Sequence, residues 1–217
     1  MSLRAIFAFA LLLALPAPAL AQSMSFRLVP AGDPAKCRER CLEMIAAEGE
    51  IVSSTPQAFI DFVTRNLADR RVRSVVLFHS PGGDVRASLN LGLMLRKIGA
   101  ATVVARAAAP GSGITAGRCY SACVYALMGG KRRIIPPGSK VGIHRAYSIA
   151  VGADPAREPG SDIRIDSGST GAAIARYSDL MGISRGLIDT AQKTLPGDIH
   201  IVSPEEIARW RLGTPKF

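Results

Sequence analysis

Aromatic residues are scarce in this 217-residue chain, 6% of it with a single tryptophan, so no row of rings interleaves with its cations. Those cations are scattered. Despite a formal charge of +10, only Arg70-Arg71-x-Arg73 and Lys131-Arg132-Arg133 form clusters, and both are short. A basic stripe with interleaved aromatics is missing, which excludes nucleic acid as a partner; the excess charge reads as a means of keeping the chain soluble. Histidine is rarer still, at three residues, which leaves few candidates for an imidazole base. After the N-terminus no apolar run is long enough to cross a bilayer, and no internal repeat of fixed period is present. Charged residues make up 20% of the chain against 48% apolar, which excludes a wholly disordered polymer. The length suits one domain with a sizeable core.

The N-terminus is built differently. One cation lies within Met1–Arg4, Ala5–Leu15 is unbroken apolar sequence, and Ala19-Leu20-Ala21 closes the segment. This is the form of a secretory signal peptide over 1–21, too short in its apolar run to span a bilayer. Cleavage after Ala21 is expected, giving a periplasmic or secreted protein with no transmembrane segment. In such a compartment four cysteines point to disulfides rather than zinc. They fall in two pairs of equal spacing, Cys37/Cys41 and Cys119/Cys123. Three pairings are possible. A bridge from the N-terminal pair to the later pair would restrict the unfolded chain most.

Residues 22–47 read as an extended N-terminal arm and 48–217 as the folded domain. Glu50–Val52 reads as a short strand, followed by a helix from about Pro56 carrying Phe59, Ile60, Phe62, Val63 and Leu67. Ser74–Phe78 is a continuous apolar run of the kind buried on both faces. Ser80-Pro81-Gly82-Gly83-Asp84 breaks it, and a second helix runs from Val85 to about Ile98. A strand over Ala101–Val104 precedes an Ala-, Gly- and Ser-rich loop over Arg106–Arg118. Ser121–Met128 reads as a buried small-residue helix, with strands at Arg132–Ile135 and Val141–His144. Tyr147–Gly168 is polar and loop-like, long enough for a lid or an oligomer contact. Helices over 169–181 and 184–194 and a strand at Ile199–Val202 follow. Ser203-Pro204-Glu205-Glu206 then has a cap, a first-turn proline and first-turn acid. Strands alternating with helices predict an α/β fold with parallel pairing.

Three features carry candidate chemistry. Gly82 and Gly83 follow a buried strand, where glycine permits positive φ and leaves N–H groups uncovered; such groups can stabilise an oxyanion. Ser121, inside Cys119-Tyr120-Ser121-Ala122-Cys123, sits at a helix start, where free N–H groups favour negative charge. His144 ends an apolar strand. His79 and His200 also lie in or beside strands and serve as its structural controls.

Taken in order, these pieces resemble the Clp protease/crotonase superfamily, and within it periplasmic relatives of the Clp protease proteolytic subunit. The likeness rests on Ser80-Pro81-Gly82-Gly83-x-Val85; Ser121-Ala122 followed by Ala126 and Gly129-Gly130; Lys131-Arg132 leading to Pro136; Val141-x-Ile143-His144; and Ser203-Pro204-Glu205. It covers roughly residues 48–213. The resemblance implies a ClpP/crotonase-like fold of repeated ββα units, with a mainly parallel sheet flanked by helices. It further implies an exported serine peptidase-like hydrolase in which Ser121 attacks a peptide carbonyl and His144 is its base. Gly82 or Gly83 and Ala122 would give the oxyanion N–H groups. In the family the third triad member lies six positions before the proline of this last helix start, which the resemblance carries over to Asp198, with Asp189 its rival. A Ser–Lys dyad would draw on Lys131 or Lys140, neither in the expected context. The substrate would be a peptide or unfolded exported protein, without metal, cofactor or ATPase partner, and the protein a homo-oligomer. The competing expectation is a non-catalytic binding or assembly protein of the same fold.

Overall fold

A computed structural model of the chain describes residues 22–32, 42–67, 75–108, 113–149, 163–165 and 168–216. The expected signal segment, Cys37 and Cys41, and most of the expected 147–168 loop lie outside these residues.

The main sheet is built around four parallel strands. β2 (Glu43–Glu48), β3 (Val75–His79), β4 (Ala101–Ala107) and β7 (Arg132–Ile134) pair in that order. β1 (Ser25–Pro30) adds antiparallel to β2, and β5 (Ile114–Ala116) antiparallel to β4. Because side chains alternate across a strand, the sheet divides its apolar residues between two faces. Ile45, Ala47, Val76, Phe78 and Val104 join the larger core, while Met44, Ala46, Leu77, Val103 and Ala105 form a smaller one opposite.

Helices cover the larger core. α1 (Thr55–Leu67) buries Phe59 and Phe62, which meet Phe26 of β1 at ring-centroid distances of 5.3 and 6.0 Å. α2 (Val85–Lys97) is capped by the Asp84 carboxylate on Ala87 N–H and buries Leu91 and Leu95. α3 (Cys123–Met128) lies deeper, with all six residues buried. α4 (Ser169–Leu180) and α5 (Arg185–Lys193) add Ile174 and Leu187 to the same core.

A second sheet holds three short strands in the order β11 (His200–Ile201), β8 (Lys140–Ile143), β6 (Arg118–Tyr120). β6 and β8 are parallel; β11 is antiparallel to β8. A bridge from Ser80 to Cys119 joins this sheet to the end of β3. β9 (Tyr147–Ile149) and β10 (Ile163–Ile165) form a separate antiparallel pair. α6 (Pro204–Arg209) begins with the expected cap completed as a reciprocal box: Ser203 Oγ accepts from Glu206 N–H and the Glu206 carboxylate from Ser203 N–H.

Three expectations need correction. The described parts of the 22–47 arm are extended, but they are strands of the main sheet: β1 and β2 pair along their whole lengths. The strand expected at Glu50–Val52 is reduced to isolated bridges, the true strand being Glu43–Glu48. In the expected loop over Arg106–Arg118, β4 extends to Ala107 and β5 follows, because backbone pairing at a sheet edge needs no apolar side chains.

Candidate active site

The junction of the two sheets brings the chemical residues together. β3 ends at His79, and Ser80 continues its line. Ser80 N–H donates to Arg118 O and Tyr120 N–H to Ser80 O, so the Ser80–Gly83 turn lies against the strand leading to Ser121. Ser80 is fully buried, and its Oγ accepts from Gly82 N–H at 3.1 Å.

Gly82 and Gly83 have φ of +109° and +130°, conformations a side chain resists. Space is equally restrictive at Gly82. A Cβ there would fall 2.7 Å from Ser121 Cβ and 3.1 Å from Ala122 N. Gly83 packs on Ile51 in the same way, with a Cβ only 2.9 Å from the Ile51 carbonyl carbon. Gly82 O and Asp84 N–H both bond to Ile51, which locks the turn. With Gly82 N–H held by Ser80, the N–H groups of Gly83 and Ala122 are left without hydrogen bonds among the described residues.

Ser121 is partly exposed and has φ +53°, one of two non-glycine residues with positive φ among those described. Holding such a residue there costs on the order of 1–3 kcal/mol, and strain of this kind concentrates at functional sites. Surrounding contacts maintain it: Ser121 N–H donates to Gly142 O, and Ser121 O accepts from Val124 N–H. A disulfide between Cys119 and Cys123, both fully buried, closes a five-residue ring around the serine. The later cysteines thus pair locally rather than with the N-terminal pair, their Cα atoms being 5.3 Å apart, within bonding range. Both sulfurs are consumed, so neither is a thiolate ligand or nucleophile.

Strand order relates the other two residues to the serine. Tyr120 is opposite Gly142 in the β6–β8 pair, so Ser121 and His144 both emerge where these parallel strands end. His200 is opposite Ile143 in the β11–β8 pair, and Asp198 lies two residues before β11, beyond the paired residues, where its N–H donates to Leu195 O. β8, which leads to His144, is the middle strand, between β6, which leads to Ser121, and β11, which follows Asp198. No hydrogen bond joins Ser121 to His144 or His144 to Asp198 among the described residues. Instead His144 Nδ1 meets Arg145 O at 2.9 Å. A carbonyl only accepts, so Nδ1 carries a proton, and in the neutral ring Nε2 is the nitrogen with the free lone pair. Arg145 is itself pinned, its N–H on Thr194 O and its Nε on Gln192 O at 2.6 Å. Asp198 is exposed, as is Asp189 on α5.

The remaining candidates fall away from the serine. His79 Nδ1 accepts from Arg118 N–H at 3.3 Å, and burial together with Arg118 lowers its pKa, so it is a neutral tie between strands. His200 is bound to Glu206 at 2.9 Å. Lys140 begins β8, opposite Arg118 and at the far end from Ser121, and Lys131 lies beyond the other end of α3. Neither lysine is placed for a dyad. Sequence reasoning missed Arg145, whose role is carried by its backbone and so leaves no signal in residue type. It also passed over Ser80, although the residue stands in the Ser-Pro-Gly-Gly run it used.

No family profile and no curated protein matches the chain. Solved structures do. A serine-to-alanine mutant of the 1510-N membrane-bound stomatin-specific protease aligns at TM-score 0.52 and 18% identity, over 79% of this chain and 78% of that one. A lysine-to-alanine mutant of the same protease, in complex with a substrate peptide, gives 0.52 and 17% over 80% and 74%. A ClpP1 mutant from Listeria monocytogenes gives 0.50 and 16% over 78% and 88%. The fold is ClpP-like. Its mainly parallel α/β sheet with flanking helices is the architecture the sequence motifs imply.

Proposed function

We propose that this protein is an exported, ATP-independent serine peptidase-like hydrolase acting on peptides or unfolded exported proteins. The observation that carries the reading is the turn at Ser121: a left-handed serine between strand and helix, facing Gly82, with unbonded N–H groups at Gly83 and Ala122. Serine is a weak nucleophile until a base takes its proton. His144 is that base, its tautomer set by Arg145 O so that Nε2 receives the proton. As Ser121 Oγ attacks the peptide carbonyl, negative charge grows on the carbonyl oxygen, and the Gly83 and Ala122 N–H groups stabilise it. His144 then returns the proton to the leaving amine. Asp198, two residues before β11, is the third member in this reading and takes over the Nδ1–H that Arg145 O holds; the Ser121–His144 contact closes when substrate binds, since such bonds are often long in free enzymes.

A buried disulfide fits an oxidising compartment, and no helix among the described residues is long and apolar enough to cross a membrane. Exposed Leu180 and Leu195 suit the expected homo-oligomer. The unmade Ser121–His144 bond is also what a non-catalytic binding protein of this fold would have. Hydrolysis of a fluorescently labelled unfolded protein, without nucleotide, separates the two readings. Turnover lost in Ser121→Ala and His144→Ala is expected; turnover unchanged in both variants, or absent from every oligomeric form of the wild type, overturns the proposal. Asp198→Asn and Asp189→Asn, compared in the same assay, decide the third member.

A further inference from the structure

The Lys131-Arg132-Arg133 cluster takes no part in the chemistry above. It lies past the C-terminal end of α3, while Ser121 precedes the N-terminal end. There it lines a cleft of about 710 Å³ together with Arg211 and Lys216, the other described lining residues being Ala208, Gly213 and Thr214. Among the described residues no acidic side chain lines it; Arg132 has a partner and the Arg133 guanidinium is held by carbonyls, so Lys131, Arg211 and Lys216 are the charges left for a ligand.

The cleft is built rather than incidental. The C-terminal segment docks along β7: Thr214 N–H donates to Arg133 O, and Ile135 N–H to Thr214 O. Arg133 ties the wall together, Nε on Leu212 O at 2.9 Å, Nη1 on Gly130 O at 3.0 Å and Nη2 on Arg211 O at 2.9 Å. Behind it, Arg96 Nη2 shares the Met128 and Met181 carbonyls with Arg133 Nη1. Two guanidiniums therefore stand together on neutral acceptors, and burial followed by Arg96 lowers the Arg133 pKa. Among the described residues no carboxylate pairs with Lys131, Arg133, Arg211 or Lys216. Arg211 supplies a second, independent sign. It has φ +57° just past the end of α6, where glycine is the relaxed choice. The chain accepts that strain and keeps a cation at the cleft.

We infer that this cleft binds several phosphate groups at once, carried by one molecule or presented side by side on an anionic lipid surface. A single monoanion would leave most of the converging charge uncompensated, whereas each phosphate brings up to two negative charges and several acceptor oxygens for Lys and Arg. The chemistry is shared by a soluble polyphosphate and by a lipid surface whose neighbouring headgroups each present one phosphate.

Two probes distinguish these sources: equilibrium dialysis with radiolabelled pyrophosphate, and co-sedimentation with phosphatidylglycerol or phosphatidylcholine vesicles. The cleft variant combines Lys131→Ala, Arg211→Gly and Lys216→Ala; the glycine removes charge while relaxing the backbone. A control variant combines Arg65→Ala, Arg86→Ala and Arg176→Ala, exposed cations elsewhere, so that both lose equal charge. Thermal unfolding checks that both fold. The wild type is expected to bind pyrophosphate, or phosphatidylglycerol but not phosphatidylcholine vesicles, with affinity falling as salt rises. The cleft variant should bind at least tenfold more weakly and the control variant should not. Pyrophosphate binding identifies a soluble ligand; binding to phosphatidylglycerol alone identifies a headgroup. Failure of the wild type with both probes, equal binding by the cleft variant, or an equal loss in the control variant overturns the inference. Ser121→Ala should bind as the wild type does, so this result stands apart from the test of hydrolysis.

Discussion

Strand β3 of the main sheet and strands β6 and β8 of the smaller one meet at the same site but are held differently. β3 has Val76, Leu77 and Phe78 at zero exposure, flanked by parallel neighbours on both sides. Burial of that kind is worth about 1.5–3 kcal/mol for each large side chain, and needs no special backbone. β6 and β8 are three and four residues long. Their continuations hold the left-handed serine, the disulfide ring and the histidine bound to its own neighbour's carbonyl. The first region supplies stability. The second spends some of it on geometry, and its residues are positioned by covalent and backbone constraints that burial alone would not provide.

Substitution at either region should therefore separate activity from stability. The largest effect is expected at Ser121: Ser121→Ala should reduce hydrolysis roughly a thousandfold or more, with little change in thermal unfolding. Next, Leu91→Ala in α2, beneath the main sheet, should cost about 2–5 kcal/mol in denaturant unfolding while the remaining folded protein keeps its turnover. Third, opening the Cys119–Cys123 ring by the double change Cys119→Ser and Cys123→Ser should cost about 2 kcal/mol by loop entropy. Its turnover should fall by more than the loss of folded protein explains, because the ring holds the serine's turn. If turnover simply tracks the folded fraction, the disulfide is structural only.

The smallest effect concerns α6. Burial would raise the Glu206 carboxyl, but Ser203 N–H and His200 lower it further, leaving it below its ordinary 4.5. A group with a lowered folded value contributes stability above its ordinary value and loses it as pH falls through the folded one. Amide exchange at Glu206 and Ile207 should thus stay protected down to about pH 5 and rise only with further acidification. Fraying already near pH 6 would contradict control by Glu206.

The same contrast explains what could be read from sequence. Ser74–Phe78 announces its strand because a run of apolar residues has few other uses, and Ser203-Pro204-Glu205-Glu206 announces a helix start because caps have specific chemistry. β2 was hidden. Glu43-Met44-Ile45-Ala46-Ala47-Glu48 is rich in good helix formers, and only burial between two sheet partners makes it a strand. At the site, the order of motifs along the chain points to Ser121, His144 and the glycines as candidates. Which N–H groups stay unbonded could not be read there, since that depends on Ser80 Oγ reaching Gly82 and not Gly83. Likewise the local pairing of Cys119 with Cys123 is one of three connectivities that spacing leaves open.

The central claim is that Ser121 is a nucleophile held ready at the meeting point of the two sheets. Fluorophosphonate labelling of the purified, oxidised protein, followed by peptide mapping, tests it directly. One phosphonyl adduct is expected, on Ser121, lost in Ser121→Ala and strongly slowed in His144→Ala. An adduct on another residue, or equal labelling of the wild type and both variants, would contradict it.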